Sequence, residues 1–148
     1  MSRILIISSN IHADLSQRQL SHCVELVKKS KHDFHIETVN AGAYEIPFVV
    51  NAYQQANPFD GYIALGLILK TNQYHFDYIT SHISACFTHF ALNNIAVGNG
   101  IIAGETRNEL AFRIDSADPC VSGYHGAFNA VDYLINLKDK TLRDCKQL

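Results

Sequence analysis

The sequence predicts an α/β fold: a parallel sheet of four strands with helices layered on both faces. Two observations lead there. Strand-length apolar runs alternate with helix-length segments along the whole chain, as crossover connections between parallel strands require. The first run, Arg3 to Ile7, is apolar without polar alternation, the pattern of a strand buried on both faces. No internal repeat or low-complexity linker interrupts the series, so one domain over residues 1–148 is expected.

The elements follow in order. Arg3 to Ile7 forms the first strand and ends in the polar cluster Ser8-Ser9-Asn10. Asp14 opens a helix, with Gln17 three residues on at capping-box spacing. Leu20, Cys23, Val24 and Val27 form its apolar stripe. Phe34 to Val39 alternates and is the second strand; Gly42 breaks it. A helix over Tyr44 to Ala56 tolerates Pro47 in its first turn. Tyr62 to Leu69 is the third strand. Phe76, Ile79, Ile83, Cys86 and Phe90 then recur as a helical stripe. Ile95 to Ala103 is the fourth strand, Glu105 to Arg113 a short helix, and Gly126 to Leu137 the last helix.

The 148 residues are 47% hydrophobic and 18% charged, which marks a globular chain with a real core. A net charge of -2 argues against a broad nucleic-acid or membrane surface, while one local pocket can still hold a small anion. No stretch reads as a signal peptide or membrane span. Cys23, Cys86, Cys120 and Cys145 lie far apart without a C-x-x-C pair, so reduced thiols in a cytoplasmic protein are expected.

In such sheets ligands bind beyond the carboxyl ends of the strands. The stretches to inspect are therefore 8–13, 40–45, 70–75 and 98–104. His75 follows the third strand. Histidine can change charge near neutral pH, as an acid–base group must; a helix-start histidine bonded to backbone is the plainer reading. His82 and His89 follow at seven-residue steps. Seven helical residues rise about 10 Å, too far for two of them to share one ion, so no metal site is expected and both read as interface-edge or solvent-facing side chains. In GAYEIPF, Ala43 and Tyr44 leave amides near a helix start, and Glu45 offers a carboxylate to hydroxyl groups or simply favours the helix N-terminus. GNGIIAG is only half of a dinucleotide-binding pattern. Arg113 is a surface cation at a helix end or a fork for phosphate. In GYHG, His125 and nearby amides can face an anion.

Taken in order, these stretches resemble the lumazine synthase family over nearly the full chain. The resemblance rests on GAYEIPF (42–48), on the strand LGLILK leading to HFDY (65–78), on NGII (99–102) with Arg113 fourteen residues after Asn99, and on Gly126 before the last helix. IHADL (11–15) is most similar to the divergent type II branch. The resemblance implies a flavodoxin-like three-layer α/β/α domain assembled as pentamers or pairs of pentamers, with active sites between subunits. It implies condensation of 5-amino-6-(D-ribitylamino)uracil with 3,4-dihydroxy-2-butanone 4-phosphate, without metal or organic cofactor. His75 then takes the proton-transfer position. Arg113, from the neighbouring subunit, takes the phosphate-binding position. Ala43, Tyr44 and Glu45 hold the ribityl chain, and Asn72 and Gln73 stand in the phosphate loop. Ile11, Leu67, Ile68, Leu69, Asn99 and His125 fill further substrate-binding positions.

The chain departs from the family at four of these places. Ile11 and Asn99 replace aromatic residues, each a stacking loss of about 1 kcal/mol. Thr71-Asn72-Gln73 replaces a glycine-containing phosphate loop, and His125 replaces a lysine. These changes predict altered affinity. They also motivate a rival, a flavin- or lumazine-binding paralogue without efficient turnover. A flavodoxin-like electron carrier is disfavoured because SSNIHAD lacks a serine/threonine-rich phosphate cradle.

Overall fold

A computed structural model describes residues 1–147. Its strands are β1 (Arg3–Ser9), β2 (Asp33–Val39), β3 (Gly61–Leu69) and β4 (Val97–Gly104). Its helices are α1 (Ala13–Lys28), α2 (Ile46–Ala56), α3 (Gln73–Leu92), α4 (Arg107–Asp115), α5 (Pro119–Ser122) and α6 (Tyr124–Cys145), with a 3-10 turn at Ala43–Glu45. The sheet order is β2-β1-β3-β4 and every pairing is parallel. This is the three-layer α/β architecture that the sequence predicts.

The two central strands are buried on both faces, as their unbroken apolar runs require. On one face Ile4, Ile6, Ile63 and Leu65 pack with Cys23 and Val27 of α1 and Val131 and Ile135 of α6. Nearer the carboxyl ends, Leu67 and Ile102 join Leu110 and Ile114 of α4. On the other face Leu5, Ile7, Ala64 and Ile68 meet Ile46 and Val50 of α2 and Ile83 and Phe90 of α3. The four cysteines are free thiols, and burial pushes the Cys23 thiol up to about 12.

Several expected boundaries move. Asp14 and Gln17 form no capping box. His12 is the N-cap of α1, and Asp14 is bound through both oxygens by Arg107 at 2.8 and 2.7 Å. The turn at Ala43–Glu45 is 3-10, so α2 starts at Ile46 with Pro47 in its first turn. Residues 98–104, expected to include a ligand-facing loop, lie inside β4. The helix expected over Glu105 to Arg113 starts later, because the Thr106 side chain accepts from the Glu109 N–H at 3.1 Å and sets the cap there. The short α5 was not foreseen. Asp118 caps it and Pro119 opens it. Helix α6 starts at Tyr124 rather than Gly126, behind Gly123, whose φ of 77° needs glycine.

Candidate active site

The carboxyl ends of β1 and β3 and the turn after β2 converge. Ser9 Oγ donates to the Ala41 carbonyl at 2.6 Å, and the Asn10 N–H donates to the Val39 carbonyl at 3.0 Å. These bonds hold the β1–α1 loop against the loop that follows β2. The latter packs onto β3 at Gly66, where an added Cβ would lie 3.0 Å from Ala43 Cβ. Between them lies a cavity of about 220 Å³. Ile11, His12, Gly42, Ala43, Leu67, Ile68, Leu69, Thr71, His75 and Ile79 line it. Six of the expected site residues are thus brought together: Ile11, Ala43, Leu67, Ile68, Leu69 and His75.

His75 sits at N3 of α3. The Asn72 side chain accepts its backbone N–H at 3.2 Å, which caps the helix and fixes where the residue leaves the backbone. Among the described residues the His75 imidazole makes no hydrogen bond to backbone; the bonded group is the amide, and the exposed residue lines the cavity. Asn72 and Gln73 do not line it; Gln73 Nε2 donates to Asp77 Oδ1 at 2.7 Å. Lys70 Nζ instead reaches Glu105 at 3.4 Å and lies 5.5 Å over the Phe76 ring.

Tyr44 and Glu45 stand on the ridge between this cavity and a wider groove of about 620 Å³ between α2 and α3. A Cβ placed on Gly42 would lie 3.6 Å from Glu45 Oε2 and 3.8 Å from Ile11 Cδ1, so the carboxylate points back toward Gly42. His82 Nε2 donates to the Tyr44 carbonyl at 3.0 Å and its ring stacks on Tyr44 at 3.7 Å. Tyr78 stacks 5.5 Å from Tyr44, and the hydrogen bond between their hydroxyls raises the Tyr44 phenol above its ordinary range. His82 was expected to face solvent or an interface edge. It instead pins the turn that carries Ala43, Tyr44 and Glu45. Sequence periodicity places His82 beside the apolar stripe but cannot show that a carbonyl from another element waits there. His89, exposed as expected, sits 3.3 Å from the Asn93 side chain. Among the described residues no three His, Cys, Asp or Glu side chains gather as metal ligands.

Three expected site residues lie elsewhere. Asn99 is in the middle of β4, opposite Ala64, and its side chain accepts the Ile101 N–H at 3.0 Å. Arg113 Nη1 donates to the Ala103 carbonyl at 2.8 Å and Nε to the Val121 carbonyl at 3.1 Å, so β4 and α5 fix the guanidinium. His125 lies in the first turn of α6, its ring 6.2 Å from that of Tyr124. None of the three lines the His75 cavity. Sequence reasoning also missed His12 as a cavity residue; its place just past the end of β1 was the available signal.

Comparison with known proteins gives this geometry its context. The family model described as 6,7-dimethyl-8-ribityllumazine synthase matches residues 1–138. The enzyme of that name from Zymomonas mobilis is 25% identical over 140 residues, covering 95% of this chain and 99% of the relative. That from Jannaschia sp. is 29% identical over 136 residues, 91% of this chain and 74% of the relative. That from Methylibium petroleiphilum is 33% identical over 116 residues, 76% and 72% of the two chains. The matched span takes in both clusters of candidate residues, and the chain belongs to the 6,7-dimethyl-8-ribityllumazine synthase family.

Proposed function

We propose that the chain is a 6,7-dimethyl-8-ribityllumazine synthase of riboflavin biosynthesis, a single domain over residues 1–148 that works in the cytoplasm. Its substrates are 5-amino-6-(D-ribitylamino)uracil and 3,4-dihydroxy-2-butanone 4-phosphate; its products are the lumazine, phosphate and water. The active form is a homo-pentamer or decamer with sites shared between neighbours.

The observation that carries this reading is the incompleteness of the His75 cavity. At about 220 Å³ it is smaller than the roughly 300–1,000 Å³ of most ligand pockets. Two of the groups proposed for phosphate, Arg113 and His125, stand on β4's side of the chain and do not line it. A second copy that presents this side to the cavity supplies what one chain lacks.

The chemistry follows from the groups present. The pyrimidine amine attacks the ketone, water leaves, phosphate is expelled, and the second amine closes the ring with loss of another water. Each step moves a proton, and His75 is placed to do so. The Glu45 carboxylate and the amides of Ala43 and Tyr44 hold the ribityl hydroxyls. Arg113, already oriented by two carbonyls, receives phosphate as it leaves. Holding both substrates in one geometry supplies much of the acceleration.

The test follows lumazine fluorescence and phosphate release from purified protein and both substrates, against the spontaneous reaction. Turnover above background, reduced about 10²-fold or more in His75→Ala, supports the reading. Riboflavin or lumazine binding without turnover would replace it with a binding paralogue, which exposed Ile11 and Asn99 at aromatic positions favour.

A further inference from the structure

We propose that His12 is a second proton-transfer residue of the condensation, lining the same cavity as His75; the proposal rests on the synthase reading above. His12 stands just past β1 as the N-cap of α1, and His75 stands in the first turn of α3. The two side chains come from different elements and line the same small cavity, whose other walls are almost wholly aliphatic.

They are the two titratable side chains in that lining; Thr71 adds a hydroxyl. Among the described residues neither imidazole is spent on a hydrogen bond within the chain: His12 is bonded through its carbonyl, to the Ser16 N–H, and His75 through its amide. Both rings are therefore available to a bound molecule. The other charged groups around the loop are the Glu45 carboxylate near Gly42 and the Asp14–Arg107 pair at the start of α1. That pair is closed on itself, which leaves His12 as the proton carrier on this wall.

Two such carriers let the loss of water proceed in one step. When the carbinolamine formed by amine and ketone collapses, its C–O bond breaks and a C=N bond forms. The departing hydroxyl takes a proton from protonated His12 and leaves as water. The nitrogen gives its proton to neutral His75. The two histidines exchange states, and no oxidant or metal enters the balance. Two imidazoles in one cavity can serve as acid and base in the same step, each at its own atom of the carbinolamine.

The experiment compares the intact chain with His12→Gln and His12→Asn, measuring kcat and KM for both substrates across pH; asparagine suits an N-cap, so it preserves α1. The expected result is a fall in kcat of about 10²-fold in both variants with KM changed less than about threefold, and loss of one limb of the bell-shaped kcat profile. Unchanged thermal unfolding would separate this from a folding defect. A kcat within about threefold of the parent with the same pH profile would overturn the proposal and leave the synthase reading intact. A loss confined to KM would make His12 a wall of the cavity and also overturn it. A parent chain without turnover would overturn both.

Discussion

Asn72 holds His75 by its amide, so one side chain sets both a helix start and the position of the residue proposed to move protons. Its two jobs separate by substitution. Asn72→Ala removes the cap and is expected to cost about 1 kcal/mol of stability. Asn72→Asp keeps an acceptor for the same N–H but brings a negative charge beside the proposed phosphate. Chemical unfolding should therefore find the aspartate variant near the parent and the alanine variant weaker. Turnover should fall in both, through a raised KM for the phosphorylated substrate. Equal activity in the parent and the aspartate variant would remove the phosphate from this loop. His75, Glu45 and Arg113 were legible as candidates because each is a reactive or charged residue near the edge of an element. That His12 joins them was not: its place just past β1 was visible, but the cavity it lines is completed by the loop after β2, to which Ser9 and Asn10 bond. Nor was His82, whose partner is a backbone carbonyl 38 residues away.

At the scale of elements, strands and helices were legible where burial repeats, and less so at their ends. The capping box failed because Arg107, far away in sequence, takes Asp14. The end of α3 shows the converse, a local rule that no apolar period reveals. The Asn94 N–H bonds to the Ala91 carbonyl at 3.3 Å and the Ile95 N–H to the Phe90 carbonyl at 2.9 Å, with Asn94 at φ 57°. Asn94→Ala should lose about 1 kcal/mol, because a Cβ is crowded in the left-handed region, while Asn94→Gly should not. Equal melting of the two variants would refute the motif's contribution. Helices α1 and α4 are joined by Asp115, which accepts from Arg18 and, at 3.2 Å, from His22. Partial burial pushes its carboxyl up, but the bonds from His22 and Arg18 outweigh that and hold it below the usual range. A lowered folded value means the stabilisation is full above the ordinary carboxylate range and disappears as pH falls through the folded value. Both side chains of the Arg18 pair are about half exposed, so Asp115→Asn should cost only about 0.5 kcal/mol at pH 7 and nothing in strong acid. Denaturant titrations at the two pH values check the sign; a loss that persists in acid would contradict it.

The whole molecule keeps its candidate residues in two places, and its surface explains why that arrangement is workable. Phe48 on α2, Tyr74 on α3 and Phe112 on α4 are 77%, 87% and 73% exposed, apolar area that a neighbouring copy covering these faces would bury. The fold itself was legible because parallel strands leave an unbroken apolar signature. That Arg113 stands apart from the His75 cavity was legible only through the family resemblance, which puts it on a neighbouring subunit; that Asn99 and His125 stand apart was not, because which residues share a cavity depends on the register of β3 with β4 and on the face that each loop turns toward. If neighbouring copies complete each site, His75 and Arg113 of one working site come from different chains. His75→Ala and Arg113→Ala should then each be nearly inactive alone. Unfolded together and refolded at equal amounts, they should regain about a quarter of the parent's activity, since random mixing gives one intact pairing in four. The mass of the mixed particle should match that of the parent. A site contained in one chain predicts no recovery, because every copy would still carry one lesion. Recovery near a quarter excludes that arrangement, and its absence in a correctly assembled mixture would return both residues to a single chain.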